Sequence, residues 1–375
     1  MAQPARAPPT WLFGPFTDVA VFAGSVACCG ALALWLSGAG QAELPTWAWG
    51  VFVLGVDVAH VWATLFRVYA DRAELARRPE LYAAAPLLAY ALGFAAYQHS
   101  ALTFWRLFAY SAAWHFVRQQ VGWGALYNRR AGSPAWEARL DAAVLYGCTL
   151  GPLAWWHAHL PRAFDWFVPG DFVAGLPPWG GDVALGLCGL TFAAWLAGQA
   201  VRWGRGGGLF AGRWVLVLST AVAWMGGIVL APDDVTFTLL NVGLHGVPYF
   251  ALLYVYARHR AAEGGYAPWL SRALEAGVPG FLAVLLACAY GEEWLWDTFV
   301  WHEHAALFGH GGLEPGPGLL SLLVPALALP QATHYLLDAF TWRGKENPGL
   351  SARLGWGAPP PAPAAPPAGA PSAAG

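Results

Sequence analysis

A chain of 375 residues that is 57% hydrophobic and 11% charged, with a mean hydropathy of +0.44, lacks the charge of a soluble domain, about 25%. Its net charge of −2 and the lack of a basic, aromatic-interleaved patch exclude a nucleic-acid partner. The five cysteines (Cys28, Cys29, Cys148, Cys188 and Cys288) fall in apolar runs without zinc-ligand spacing and read as small buried hydrophobes.

A membrane-spanning helix needs ~20 mostly apolar residues. Runs of that kind predict spans at about 18–37, 46–66, 83–98, 101–121, 140–160, 182–201, 210–231, 235–257, 273–290 and 318–340. The first is followed by no small-residue cleavage site, so it reads as a retained helix. The expected organisation is a cytoplasmic segment 1–17, a transmembrane domain 18–343 and a cytoplasmic tail 344–375. The tail ends in APPPAPAAPPAGAPSAAG, too dense in proline for a helix and with nothing to bury, so it is expected to be disordered.

Charge alternates with these spans. Basic residues collect after the even ones: Arg67, Arg72, Arg77 and Arg78; Arg118, Arg129, Arg130 and Arg139; Arg202, Arg205 and Arg213; Arg258, Arg260 and Arg272; Arg343, Lys345 and Arg353. Only Arg106 and Arg162 fall on the other side, whose loops carry Asp165, Asp171, Asp233, Asp234, Glu292, Glu293 and Asp297. Because positive charge stays cytoplasmic, both termini are expected there. The predicted fold is an all-α polytopic bundle of about ten spanning helices in a cell inner membrane. The arginine-, alanine- and proline-rich composition points to a bacterial one.

Within the apolar runs stand polar residues that lipid would penalise by several kcal/mol each. The second span carries Asp57, His60, Thr64 and Arg67 at intervals of three and four, hence on one face. The fourth carries Ser111, His115, Arg118 and Gln119, the eighth Asn241, His245 and Tyr249, and the tenth Gln331, His334, Tyr335 and Asp338. Four such stripes must face one another. His60, His115 and His334 each lie about six residues from the inner ends of their spans, a shared level roughly 9 Å inside the boundary. His245 is expected higher, near the midplane. One intramembrane histidine is as readily an interhelical hydrogen-bonding residue as a ligand; three at one level, each with polar company, point to a site.

Neutral imidazole is the commonest ligand of iron, zinc and copper. His60, His115, His245 and His334 are therefore expected to hold a transition metal, iron first. Asp57 and Asp338, one turn from histidines, are the candidate catalytic carboxylates, as ligands or as orienters of imidazoles. Arg67 and Arg118, near the headgroup level, are the candidate substrate contacts. The layout is similar in kind to membrane di-iron desaturases and hydroxylases, whose histidines also lie on the cytoplasmic side. It departs from them in having no H-x-x-x-H or H-x-x-H-H box. The implied activity is oxidation of a lipid or other apolar substrate, with an electron donor as a possible partner.

Other chemistries use the same residues. Two facing imidazoles can hold a haem; an intramembrane His/Asp/Arg set can serve transport; His245 near Asn241 can act as a general base for group transfer. A second polar group is expected outside: His99, His157 and His159, and an interfacial segment 292–310 with Glu292, Glu293, Asp297, His302, Glu303, His304 and His310.

Overall fold

The computed structural model describes residues 10–357 apart from 310, 311, 345 and 348. Among these residues every regular element is a helix. Seven helices are long and apolar enough to cross a membrane, which makes this a multi-pass membrane protein. They are α1 (Pro15–Gly38), α2 (Thr46–Tyr69), α6 (Pro178–Gly204), α7 (Ala211–Val229), α8 (Asp234–Ala262), α9 (Val278–Trp301) and α10 (Pro317–Thr341). Three more are as long but more polar: α3 (Pro79–His99), α4 (Ala101–Ala131) and α5 (Ala135–Ala158).

Local chemistry sets the ends. Pro15, Pro79, Pro178 and Pro317 open helices at the position where a missing N–H costs nothing. Ser100 caps α4 by accepting the Thr103 N–H at 3.0 Å, and Asp233 caps α8 by accepting the Thr236 N–H at 2.9 Å. Gly132 ends α4 with φ of 61°, a left-handed conformation that suits glycine.

The bundle is built around α8, whose residues 239–246 are all buried. Two glycines let its neighbours close in. A Cβ on Gly243 would stand 2.4 Å from Cys29 Sγ of α1, and one on Gly246 would stand 2.6 Å from Val56 of α2. The same device joins α5 to α6, where a Cβ on Gly147 would meet Thr191 at 2.1 Å and one on Gly151 would meet Cys188 at 2.9 Å. In lipid, such close approach of backbones replaces the hydrophobic drive between helices.

Two helices are irregular where they meet the site. In α2, wide π-helical turns at Gly50–Val58 and Leu65–Tyr69 flank the regular stretch Ala59–Thr64 that carries His60. α10 breaks at Ala328, between Pro325 and Pro330, each of which removes a backbone donor.

The ninth span differs from expectation. Residues 268–275 form a separate short helix, closed by Gly277 at φ 78°, and α9 starts only at Val278. It continues through Glu292, Glu293 and Asp297 to Trp301, so these acids are not on an interfacial loop. All three are buried, at 5%, 7% and 6% exposure. Glu293 and Asp297 are one turn apart, and Trp294, Leu295 and Trp296 between them, with Phe299 and Val300 beyond, keep the rest of the helix apolar. The Pro/Ala-rich tail from 358, residues 1–9 and His310 lie outside the described residues.

Candidate metal centre

His60 (α2), His115 (α4), His245 (α8) and His334 (α10) converge in the middle of the bundle. Their ligand nitrogens all lie within 4.8 Å of one another, and among the described residues no other group of His, Cys, Asp and Glu side chains has metal-binding spacing. His60 Nε2 faces His245 Nε2 at 2.9 Å, and His334 Nε2 faces His115 Nε2 at 3.1 Å. All four residues are buried, with exposures of 0–5%.

The expected difference in depth is not found: His245 sits with the other three, not above them. Helix ends do not mark one common boundary. The cluster lies about two turns from the ends of α2 and α10 but more than four turns from those of α4 and α8.

The surroundings fix ring orientation. Val56 O is an acceptor only, so His60 Nδ1, 3.3 Å away, carries the proton and Nε2 keeps its lone pair toward the centre. Thr64 Oγ1 holds His334 Nδ1 at 2.8 Å. Phe116 stacks on His245 with ring centroids 3.5 Å apart and planes 8° from parallel, and Tyr335 stacks on His115 at 4.8 Å. His245 Nδ1 has no protein partner.

This set suits one ion. A tetrahedral ion with ligand nitrogens at 2.0–2.1 Å spaces them about 3.3 Å apart, close to both Nε2 contacts. Two ions about 3.5–4 Å apart would need more donors than four imidazoles supply. The four imidazoles could hold a metal ion, and nothing in their spacing selects iron or haem.

Asp57 and Asp338 are not in the ligand cluster. Asp57 Oδ1 is 3.8 Å from His60 Nδ1, on the side of the ring away from the centre. Asp338 Oδ1 accepts from Tyr249 Oη at 2.8 Å and Trp342 Nε1 at 2.6 Å. Tyr249 in turn sets its ring edge against His60 and His334, at 5.8 and 5.3 Å between centroids. Asp338 thus reaches the histidines only through Tyr249.

The two arginines separate. Arg67 is 2% exposed and spent on internal partners: it donates to Thr341 O at 2.6 Å, pairs with Glu74 at 3.2 Å and lies over the Tyr256 ring at 4.7 Å. Its place is an interior tie, not a headgroup contact, because the wide turn Leu65–Tyr69 rotates it inward. Arg118 is exposed, donates to Tyr146 Oη, and lines a groove of about 1090 Å³. That groove runs between α3, α4, α8 and α10, and His115, Tyr335, Tyr249 and Asp338 form part of its wall.

One group escaped sequence reasoning. Glu292, Glu293 and Asp297, expected on an outer surface, stand inside the bundle. Trp62, two residues after His60, donates to Glu292 Oε2 at 2.6 Å, and Glu293 lies within Coulombic reach of Asp57. The signal available was the unbroken helical apolar pattern from 278 to 301. The outer histidines stay apart: His157 bonds Tyr110 Oη at 2.9 Å, His304 packs tilted against Trp49 with ring centroids 3.7 Å apart, and His99 contacts Thr103 Oγ1 at 3.0 Å.

No protein-family model, curated protein or solved structure matches the chain.

Proposed function

We propose that this chain is a membrane-bound, metal-dependent oxidoreductase, of the hydroxylase, desaturase or oxygenase kind, acting on a lipid or other apolar substrate. The observation that carries the reading is the convergence of four buried imidazoles from four helices beside an apolar groove. In this reading His60, His115, His245 and His334 hold a single transition-metal ion, iron first. When bound, such an ion supplies one-electron and dioxygen chemistry that no side chain here provides. The chain's own residues do the rest. Val56 and Thr64 orient imidazoles, Phe116 and Tyr335 exclude water, and the groove brings an apolar molecule against His115. Asp57 and Asp338 act as positioning residues, and Arg118 as a contact for a polar end of the substrate. An external electron donor completes the system.

The reading includes topology: α3, α4 and α5 cross the bilayer with the other seven, both termini are cytoplasmic, and the protein lies in a bacterial inner membrane. The support is the alternation of arginine-rich and acidic loops along the chain.

The test is turnover. Iron-loaded protein in lipid nanodiscs, given reductant and air, is expected to convert an endogenous lipid to an oxidised product seen by mass spectrometry. The His334→Ala variant is expected to make none. Product formation that is unchanged in His334→Ala would overturn the reading. A second reading, ion-coupled transport, draws on the buried acids Glu292, Glu293 and Asp297; substrate-dependent flux in liposomes without chemical change would favour it.

A further inference from the structure

The groove has a shape that narrows the substrate class. On α4 its lining residues run from Phe104 to Arg129, about 37 Å at 1.5 Å per residue. His115 lies between them, about 16 Å from Phe104 and 21 Å from Arg129 along the same helix. The space is a long trough, with His115 in its wall between the two ends.

Its lining is graded. The half toward Phe104 is hydrocarbon and aromatic, with Leu92, Phe108 and Pro325. The half toward Arg129 adds Arg118 and Arg343, which suit a polar terminus. Near the middle, one turn from His115, Gln119 also lines the groove. It is 7% exposed, and neither Oε1 nor Nε2 has a hydrogen-bond partner in the protein. A buried amide with both ends free makes this the place in the groove for a polar atom in the middle of an otherwise apolar chain.

We propose that the groove binds a long, extended, mostly apolar chain, on the order of 30 Å, and presents the middle of that chain to the four-histidine centre. This deepens the oxidoreductase reading and rests on it. A molecule lying along α4 from Phe104 to Arg129 has its ends far from His115 in both directions. A short chain fills one half only.

The test blocks each half in turn. Leu107 lies two turns from His115 on one side and Gly122 two turns on the other; both line the groove, and a Cβ on Gly122 meets nothing within 4 Å. The probe is a single-chain C30 hydrocarbon alcohol with a mid-chain diazirine, added to protein in nanodiscs, with crosslinks mapped by mass spectrometry. In the wild type, crosslinks are expected at α4 and α10 residues around His115. Leu107→Trp and Gly122→Trp are each expected to lower crosslinking at least about tenfold. Bound metal, measured on the same samples, reports whether the centre and fold are intact. A C14 probe is expected to lose binding to one plug and not the other. Two results would overturn the proposal: C30 labelling that either plug leaves unchanged while metal is retained, or labelling confined to the outer surface. Loss of metal in the wild type with C30 labelling intact would sink the oxidoreductase reading and leave the chain-binding groove standing.

Discussion

His60 Nε2 and His245 Nε2, separated by 185 positions in sequence, stand 2.9 Å apart in the interior of the bundle. Two buried imidazoles aimed at each other gain little as a mere hydrogen-bonded pair, because each must also satisfy its second nitrogen. His245 Nδ1 does not. With His334 and His115 meeting in the same way at 3.1 Å, the arrangement makes sense as a ligand set.

Metal affinity is expected to depend on the orienting groups as well as the ligands. Thr64→Val removes the partner of His334 Nδ1 while keeping shape. Outer-shell changes of this kind cost roughly 10–100-fold in metal affinity. Competition with a chelator measures it; affinity equal to the wild type would show that Thr64 does not orient the ring.

Tyr249 and Asp338 are expected to act as a unit. Each of Tyr249→Phe and Asp338→Asn breaks the 2.8 Å bond, and the double variant is expected to be no worse than the poorer single one. A coupling of about 0.5–3 kcal/mol is expected from thermal melts. Additive losses would contradict the link.

Arg67 and Arg118 are expected to behave differently. Arg67→Ala strips Glu74 of one of its two arginine partners and is expected to cost about 1–3 kcal/mol of stability. Arg118→Ala, at an exposed position, is expected to stay within about 0.5 kcal/mol. Equal melting temperatures for the two variants would refute the interior placement of Arg67.

The Arg72–Arg77 helix outside the spans gives a pH test. Burial alone would raise the Glu74 carboxyl, but Arg77, Arg67 and Tyr82 hold it down at about 2. A carboxyl depressed on folding stabilises the fold above its ordinary value of 4.5, and that contribution is lost as pH falls toward about 2. Wild-type melting temperature is therefore expected to fall across this window. Glu74→Gln is expected to start lower and to change less there. Parallel curves for the two proteins would contradict the assignment.

Much of the site was legible because lipid makes polar residues conspicuous. His60, His115, His245 and His334 stood out as imidazoles in apolar runs, and helical spacing named Thr64, Tyr249 and Asp338 on the same faces. What spacing could not give was depth and rotation. His245 was misplaced because α8 and α4 overrun the ends assumed for them. Arg67 was misplaced because the wide turns of α2 change the angle per residue, so a stripe drawn at 3.6 residues per turn drifts. Glu292 and Glu293 were given to a loop since carboxylates usually end a span; here Trp62 and the bundle interior receive them. The groove is a property of four packed helices, α3, α4, α8 and α10, and has no signature in any one of them.

The most direct measurement is the metal content of protein purified from its native membrane without chelators. One transition-metal ion per chain is expected, lost in His60→Ala, His115→Ala, His245→Ala and His334→Ala alike. Folded wild-type protein that holds no metal and takes up none when iron, zinc or copper is supplied would contradict it.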